Sequence, residues 1–108
     1  KPVKPIAKLL SANITDKVVM VSGAGGSIGK ELCRQIVLNK PKALILLDVS
    51  EALLYEIHQE LSETLAEKQN FLHVEPLIGN VQNGMLMSHI FNKYKVQTIS
   101  HAAACTYG

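Results

Sequence analysis

The chain has 108 residues, of which 47% are hydrophobic, and a formal net charge of +2. This length fits one domain, and the composition is that of a soluble globular chain. Its longest uninterrupted apolar run, residues 43–47, is far shorter than the ~20 residues that a membrane-spanning helix needs. The basic excess is small and scattered among acidic residues, which argues against a nucleic-acid partner.

The two cysteines, Cys33 and Cys105, lie far apart and have no CxxC or Cys/His spacing. This argues against a disulfide framework and against a zinc site, and it favours a reducing, cytoplasmic setting. Residues 1–16 carry Pro2 and Pro5 with several lysines, and they are predicted to form a linker or arm. The domain proper is therefore expected to span residues 17–108.

Apolar runs and helical spacings alternate along this domain. Nearly continuous apolar runs predict buried strands at residues 17–22, 43–47, 71–78 and 96–100, with Pro76 leaving the course of the third uncertain. Apolar residues at helical spacing predict three helices, one between the glycines and Asn39, one after Ser50, and one around residues 86–94. The alternation predicts an α/β fold, a Rossmann-like doubly wound parallel sheet with about four strands and three helices.

The second predicted helix has two distinct sides. Ser50 offers its N-cap, and four apolar residues are predicted to form one buried side: Leu53, Ile57, Leu61 and Leu65. The glutamates are predicted to form the solvated side, and they make no acid/base pair: Glu51, Glu56, Glu60, Glu63 and Glu67.

A glycine-rich turn joins the first strand to the first helix. Gly23, Gly26 and Gly29 recur at a spacing of three, with Gly25 between them. A backbone that approaches a pyrophosphate closely cannot carry side chains there, and the following helix offers free N–H groups and a positive dipole end. Between a strand and a helix this pattern predicts dinucleotide binding, the alternative being a tight turn without a ligand.

Asp48 follows the second predicted strand, 19 residues after Gly29. A carboxylate at this position accepts hydrogen bonds from an adenosine ribose and repels a 2′-phosphate, which favours NAD over NADP unless a nearby cation reverses the preference. The alternative is an ordinary helix-capping or loop aspartate.

Further candidates follow the third and fourth strands. Asn80 and Val81 are placed to contact an adenine ring, although a plain turn asparagine explains Asn80 nearly as well. Small side chains after the fourth strand would let a cofactor cross the sheet edge, or would pack against helices: Ala102, Ala103 and Ala104. The four histidines have no metal-ligand spacing, and no base is identified beside Cys105, so neither a metal site nor a catalytic residue is predicted.

Two strings carry a family resemblance. Residues 21–36, VSGAGGSIGKELCRQI, followed by LLDVSE at 46–51, closely resemble the capsular polysaccharide biosynthesis branch of the extended short-chain dehydrogenase/reductase superfamily. The string HAAA at 101–104 resembles the fourth-strand motif of the same branch. The similarity runs from about residue 17 to residue 104, and so long a string is far more specific than a bare glycine pattern.

The resemblance implies a nucleotide-sugar 4,6-dehydratase or epimerase that acts on a UDP-sugar, typically UDP-N-acetylglucosamine, in bacterial surface polysaccharide synthesis. It implies a tightly held NAD, or NADP, that takes a hydride from the sugar and returns it. It assigns the pyrophosphate to Gly23, Gly26, Ser27, Ile28 and Gly29, the adenosine ribose to Asp48 and Ser50, the adenine to Asn80 and Val81, and the region near the nicotinamide to Ala102, Ala103 and Ala104.

The chain departs from the family pattern in two places. Asn80 stands where the family usually has Asp, and Cys105-Thr106-Tyr107 stands where it has Tyr-Lys-His. The family's Tyr-x-x-x-Lys catalytic pair is not in this sequence, so we expect the N-terminal cofactor-binding part of a longer enzyme, inactive alone and prone to self-association. The alternative is a non-catalytic dinucleotide-binding or sensor module.

The expected setting follows from the same resemblance. We expect a homo-oligomeric parent enzyme, cytoplasmic or at the inner membrane with its catalytic domain facing the cytoplasm. The resemblance implies a full-length protein that often bears N-terminal membrane helices, and we expect no membrane contact from the present residues.

Overall fold

The computed structural model describes residues 13–102. Strands and helices alternate along them. The strands are β1 (Val18–Ser22), β2 (Ala43–Asp48), β3 (His73–Ile78) and β4 (Thr98–His101). The helices are α1 (Ser27–Leu38), α2 (Glu51–Glu67) and α3 (Gly84–Tyr94).

The four strands form one parallel sheet in the order β3-β2-β1-β4. Strand β1 lies in the interior of the sheet. Strands β2 and β3 follow outward on one side of it, and β4 pairs with β1 on its other side. This is the doubly wound arrangement, and it confirms the predicted fold class. The carboxyl ends of all four strands consequently lie along one edge of the sheet, where ligands bind in open α/β folds.

Each face of the sheet has its own apolar core. On one face Val19, Val21, Leu44 and Leu46 pack with residues of α1 and α2. On the other face Met20, Ile45 and Leu47 pack with Met87 and Ile90 of α3. Because β1 and β2 are covered on both faces, their side chains are buried almost throughout, which explains the continuous apolar runs in the sequence.

Strand β3 is less buried than β1 and β2 along its whole length. It pairs with β2 and lies at an end of the strand order, so it is an edge strand. Pro76 sits within it, opposite Leu46, and a proline without an N–H group is tolerated at such an edge. The strand therefore continues through the proline that made its course uncertain.

Three predicted details differ from the structure. In α2 the buried residue of the first turn is Leu54, not Leu53, which is 38% exposed. Strand β3 begins at His73 because the Asn70 side chain accepts a hydrogen bond from Leu72 N–H and prolongs the turn.

Strand β4 begins at Thr98, two residues later than predicted. Lys95 ends α3 in the left-handed conformation, with φ of 57°. The chain therefore turns before it pairs with β1, and Gln97 N–H donates to Val18 O at 2.8 Å.

Ion pairs join α1 to α2 on the surface. Lys30 Nζ lies 3.0 Å from Glu56 Oε1, and Arg34 Nε lies 2.6 Å from Glu60 Oε2. Arg34 also contacts Glu31 within α1. Two of the glutamates that the sequence assigned to a solvated side therefore hold the neighbouring helix.

Candidate functional site

The glycine turn leaves β1 at the carboxyl edge of the sheet. Gly23 has φ of +68°, a conformation that glycine adopts without steric cost. Ala24 N–H donates to Leu47 O at 3.1 Å, and Gly26 N–H donates to Gly23 O at 3.2 Å. These bonds fix the turn against the end of β2 and lead it directly into α1.

The glycines of this turn differ in whether the fold itself requires them. A Cβ at Gly29 would collide with the carbonyl oxygen of Gly23, and one at Gly25 would lie 2.5 Å from the Cβ of Leu53. Gly26 is different, because its φ of −74° suits any residue and the nearest heavy atom to an added Cβ is 3.7 Å away. Neither strain nor crowding by the described residues explains a glycine at position 26.

The N-terminus of α1 also differs from those of the other two helices. Ser50 Oγ caps α2 by accepting from Leu53 N–H at 3.2 Å, as predicted, and Asn83 Oδ1 caps α3 by accepting from Leu86 N–H at 3.1 Å. Gly26 begins α1 without a side-chain cap, and the first turn of α1 carries no acidic residue. The first turn of α1 therefore presents its backbone N–H groups and the positive end of the helix dipole with no capping or acidic side chain of its own.

Asp48 ends β2 beside this turn and is 8% exposed. Its Oδ2 accepts from Gly25 N–H at 2.8 Å, and its Oδ1 accepts from Ser50 N–H at 2.9 Å. A carboxylate offers about four lone-pair positions, so these two bonds leave acceptor capacity for a ligand hydroxyl. Asp48 thus joins the glycine turn, the end of β2 and the start of α2.

A cleft of about 180 Å³ lies between the ends of β2 and β3. It is lined by Ser22, Gly23, Leu47, Asp48, Val49, Gly79, Asn80 and Val81. Gly79 N–H donates to Asp48 O at 3.0 Å, and Asn80 Oδ1 accepts from Gln82 N–H at 2.9 Å. The fold therefore brings Asp48, Asn80 and Val81 together around one opening.

The remaining candidates also lie at this edge where the structure describes them. Ser27 and Ile28 open α1, and the Ile28 side chain packs against the core, so Ile28 offers its backbone N–H. Ala102 lies across from the turn, 3.4 Å from where a Cβ on Gly23 would be. Ala103 and Ala104 lie outside the described residues.

Two contacts at the site cannot be predicted from the sequence. Ser22 Oγ lies 2.8 Å from His101 Nδ1, which ties the ends of β1 and β4 together, and Leu53 packs directly against Gly25. Both depend on strand register and helix rotation, which spacing alone does not determine.

The described part of the site offers binding groups more than reactive ones. The thiol of Cys33 is fully buried in the core, and burial raises its pKa to about 12, so it is no nucleophile. Within residues 13–102 no three metal-ligating side chains converge, and no helix there is long and apolar enough to cross a membrane. The arrangement suits an anionic ligand with ribose hydroxyls.

Comparison with known families gives one match that spans most of the chain. The family described as "polysaccharide biosynthesis protein" matches residues 19–107. This match confirms the resemblance that the glycine string and the LLDVSE and HAAA strings indicated.

Two curated relatives are similar over nearly the whole chain. The capsular polysaccharide biosynthesis protein CapD of Staphylococcus aureus is 42% identical over 103 residues, which are 95% of this chain. The probable polysaccharide biosynthesis protein EpsC of Bacillus subtilis (strain 168) is 40% identical over 104 residues, or 96% of this chain. The chain spans 17% of the length of each relative.

A solved structure shares the fold. A short chain dehydrogenase from Mycobacterium smegmatis superimposes with a TM-score of 0.60 at 22% identity. The similarity covers 78% of this chain and 35% of that chain. At this identity the likeness establishes the shared fold.

Proposed function

The chain belongs to the polysaccharide biosynthesis protein family, and on that premise we propose that it is the NAD-binding part of a nucleotide-sugar dehydratase or epimerase. The complete enzyme acts on a UDP-sugar of the UDP-N-acetylglucosamine class, works in the cytoplasm and assembles as a homo-oligomer. A bound NAD would supply reversible hydride transfer, the chemistry that a 4,6-dehydration or an epimerisation of the sugar requires.

Gly26 is the observation that carries this proposal. Among residues 13–102 nothing strains or crowds the backbone there, and it leads into a helix N-terminus that no side chain of these residues caps. A glycine in such a place is explained by an external group that approaches the backbone closely. A pyrophosphate fits, since the N–H groups of Ser27, Ile28 and Gly29 together with the helix dipole favour an anion.

The neighbouring groups support a dinucleotide over a simple anion. The Asp48 carboxylate would accept from the adenosine ribose hydroxyls, with Ser50 beside it, and the cleft bordered by Asn80 and Val81 would receive the adenine. The two cations of α1, Lys30 and Arg34, are paired with glutamates of α2, so their charges are already compensated and offer little attraction to a 2′-phosphate. We therefore expect NAD to bind more tightly than NADP, because a 2′-phosphate would face Asp48.

Titration of the chain with NAD, NADP and ADP tests the binding proposal. We expect saturable binding of NAD and ADP, with NADP weaker by about tenfold or more. An absence of binding to all three ligands would overturn the proposal, and tighter binding of NADP would refute the role of Asp48.

The reaction requires a test on the longer gene product. With UDP-N-acetylglucosamine we expect a 4-keto-6-deoxy sugar or an epimer, and the present chain alone should form neither. A longer product that lacks both a Tyr-x-x-x-Lys motif and activity would favour the non-catalytic binding module instead.

A further inference from the structure

The fold gathers most of the lysines at the end of the sheet opposite the glycine turn. Residues 13–102 contain eight basic side chains, and two of these, Lys30 and Arg34, are paired with glutamates between α1 and α2. The other six lie in or beside the segments that enter the four strands: Lys17, Lys40, Lys42, Lys68, Lys93 and Lys95. We call this surface the lysine face. Asp16 and Glu67 are the acidic residues in or next to these segments.

The segments of the lysine face are in contact with one another. Asp16 N–H donates to Lys40 O at 3.0 Å, and Lys42 N–H donates to Lys17 O at 2.8 Å. The residues that line a shallow cleft of about 310 Å³ include Asp16, Lys40 and Lys42, together with Asn70 and Leu72 of the turn before β3. Lys17, Lys40 and Lys42 are therefore neighbours in space, and the segments that carry the other three lysines enter the same parallel sheet from the same end.

Large apolar side chains stand exposed among these lysines. Phe71, in the turn that enters β3, is 96% exposed, and Leu38, at the end of α1, is 65% exposed. Lys40, Lys42 and Lys68 are exposed on the flanking segments. An aromatic side chain this exposed has no role in the core of the described residues, and here it projects from a surface on which lysines outnumber acidic residues.

We propose that the lysine face docks on a membrane surface rich in anionic lipid headgroups. Lysines close to such a surface are each attracted to it, and an exposed aromatic residue inserts at the headgroup level. The proposal is independent of the dinucleotide site, which lies at the other end of the strands. The sequence predicts no membrane contact from these residues because it has no apolar run long enough to span a bilayer, whereas the docking proposed here is a surface contact that needs no spanning segment.

The composition of the face favours a lipid surface over a nucleic acid. It presents lysines with no arginine, and of its aromatic residues Phe71 alone is almost fully exposed, since Phe91 is 36% exposed and Tyr94 is half-buried, whereas recognition of single-stranded nucleic acid uses several aromatic platforms. Lysines at helix C-termini also complement helix dipoles, as Lys68 and Lys95 do here. A purely structural role would affect the melting temperature and leave vesicle binding unchanged, so the two measurements separate the roles.

Vesicle sedimentation of the full chain tests the proposal. The vesicles are phosphatidylcholine alone or phosphatidylcholine mixed with phosphatidylserine, at low and at high salt. We expect the chain to sediment with the mixed vesicles at low salt and to be released by high salt. The variant Lys42→Gln/Lys68→Gln should bind about tenfold more weakly, and Phe71→Ser should also weaken binding.

The matched control is Lys30→Gln/Arg34→Gln, which removes the same total charge from a different surface. It should bind the mixed vesicles as the unmodified chain does, and circular dichroism melts will establish that every variant is folded. Equal weakening by both double variants, or no sedimentation at low salt, would overturn the proposal. Binding to polyglutamate or to RNA that is as tight as binding to the vesicles, and that Phe71→Ser does not weaken, would also overturn the proposal. In that case the face would recognise polyanions in general and not a lipid surface.

Discussion

The backbone N–H of Gly25 donates a hydrogen bond of 2.8 Å to Oδ2 of Asp48, and this bond is buried. The second carboxylate oxygen accepts from Ser50 N–H at 2.9 Å. One side chain at the end of β2 thereby satisfies a donor of the glycine turn and a donor at the start of α2. Because a buried N–H without a partner is costly, Asp48 organises the proposed binding turn in addition to any contact with a ribose.

Replacing Asp48 by Asn should separate these two contributions. The amide offers one acceptor oxygen, so one of the two backbone N–H groups would face an NH₂ group and lose its partner. We expect the free energy of unfolding to fall by about 1–3 kcal/mol and the affinity for NAD to fall by about tenfold or more. The decisive measurement uses an NAD analogue that lacks the hydroxyls of the adenosine ribose. The Asp48→Asn variant should bind this analogue more weakly than the unmodified chain does, because the analogue reports only on how Asp48 positions the glycine turn.

Ser50→Ala is the control for the Asp48 variant. It removes the α2 cap, at about 0.5–2 kcal/mol, but keeps the backbone N–H that donates to Asp48. Its affinity for the analogue should match that of the unmodified chain. If Asp48→Asn also leaves binding of the analogue unchanged, Asp48 does not position the turn and acts through the ribose alone.

Alanine substitutions in the glycine turn should affect stability and binding differently. Gly29→Ala places a Cβ against the Gly23 carbonyl, and we expect a loss of about 1–3 kcal/mol in the free energy of unfolding. Gly26→Ala meets neither strain nor crowding, and the loss from a poorer N-cap residue opposes the gain from a less flexible unfolded chain, so stability should change by less than about 1 kcal/mol. NAD affinity should nevertheless drop for Gly26→Ala, by about tenfold or more, because the methyl group would occupy the place proposed for the phosphate.

Gly84→Ala supplies the matched control for these variants. Gly84 opens α3, and an added Cβ there has no heavy atom within 4 Å, so the substitution should be tolerated without any change in NAD binding. Chemical denaturation and calorimetric titration of the three variants provide both measurements. Unchanged NAD affinity in Gly26→Ala would mean that this glycine has no ligand beside it.

The sequence predicts those features of the fold that depend on local pattern. Continuous apolar runs locate β1 and β2 because both strands are covered on both faces, and the order of strands and helices brings Asp48 to the glycine turn. The hydrogen bond between Gly25 and Asp48 cannot be predicted from the sequence, since it depends on how the turn is rotated over β2.

Other features that the sequence does not predict also depend on how the elements pack. Leu53 and Leu54 both suit the apolar side of α2, and the packing of α2 against the sheet decides that Leu54 is the buried one. The ion pairs of Lys30 and Arg34 depend on how α1 and α2 lie together. The lysine face needs the whole topology, because it forms from segments that enter four different strands.

The pairing of Arg34 with Glu60 should make stability depend on pH in acid. Hydrogen bonds from Arg34 lower the pKa of Glu60 below its usual 4.5. A carboxyl whose pKa is lower in the folded state contributes stability above its unfolded pKa, and this contribution is lost as the pH falls through the folded pKa. Glu60→Gln should therefore cost about 0.2–1 kcal/mol near neutral pH, a small effect because both side chains are partly exposed.

Acid denaturation curves of Glu60→Gln and Glu63→Gln test this linkage. Glu63 lies on the same helix and accepts from Gln59 instead of an arginine, so its replacement should cost less near neutral pH. The deficit of Glu60→Gln should shrink below pH 4.5 and should also shrink in high salt. A deficit that stays constant with falling pH would exclude the ion pair as its cause.

Cys33 should be chemically silent while the chain is folded. Its side chain is fully buried against the core cluster beneath α1, and desolvation raises the pKa of the thiol to about 12, so near neutral pH it is neither accessible nor ionised. In a Cys105→Ser variant, Cys33 is the remaining thiol, and Ellman's reagent should label it only slowly in buffer but rapidly and fully in denaturant. Its slow labelling in buffer should follow global unfolding, so Gly29→Ala should accelerate it and Gly84→Ala should not. Rapid, stoichiometric labelling of the folded chain would show instead that α1 opens locally, which would place the glycine turn on a mobile element.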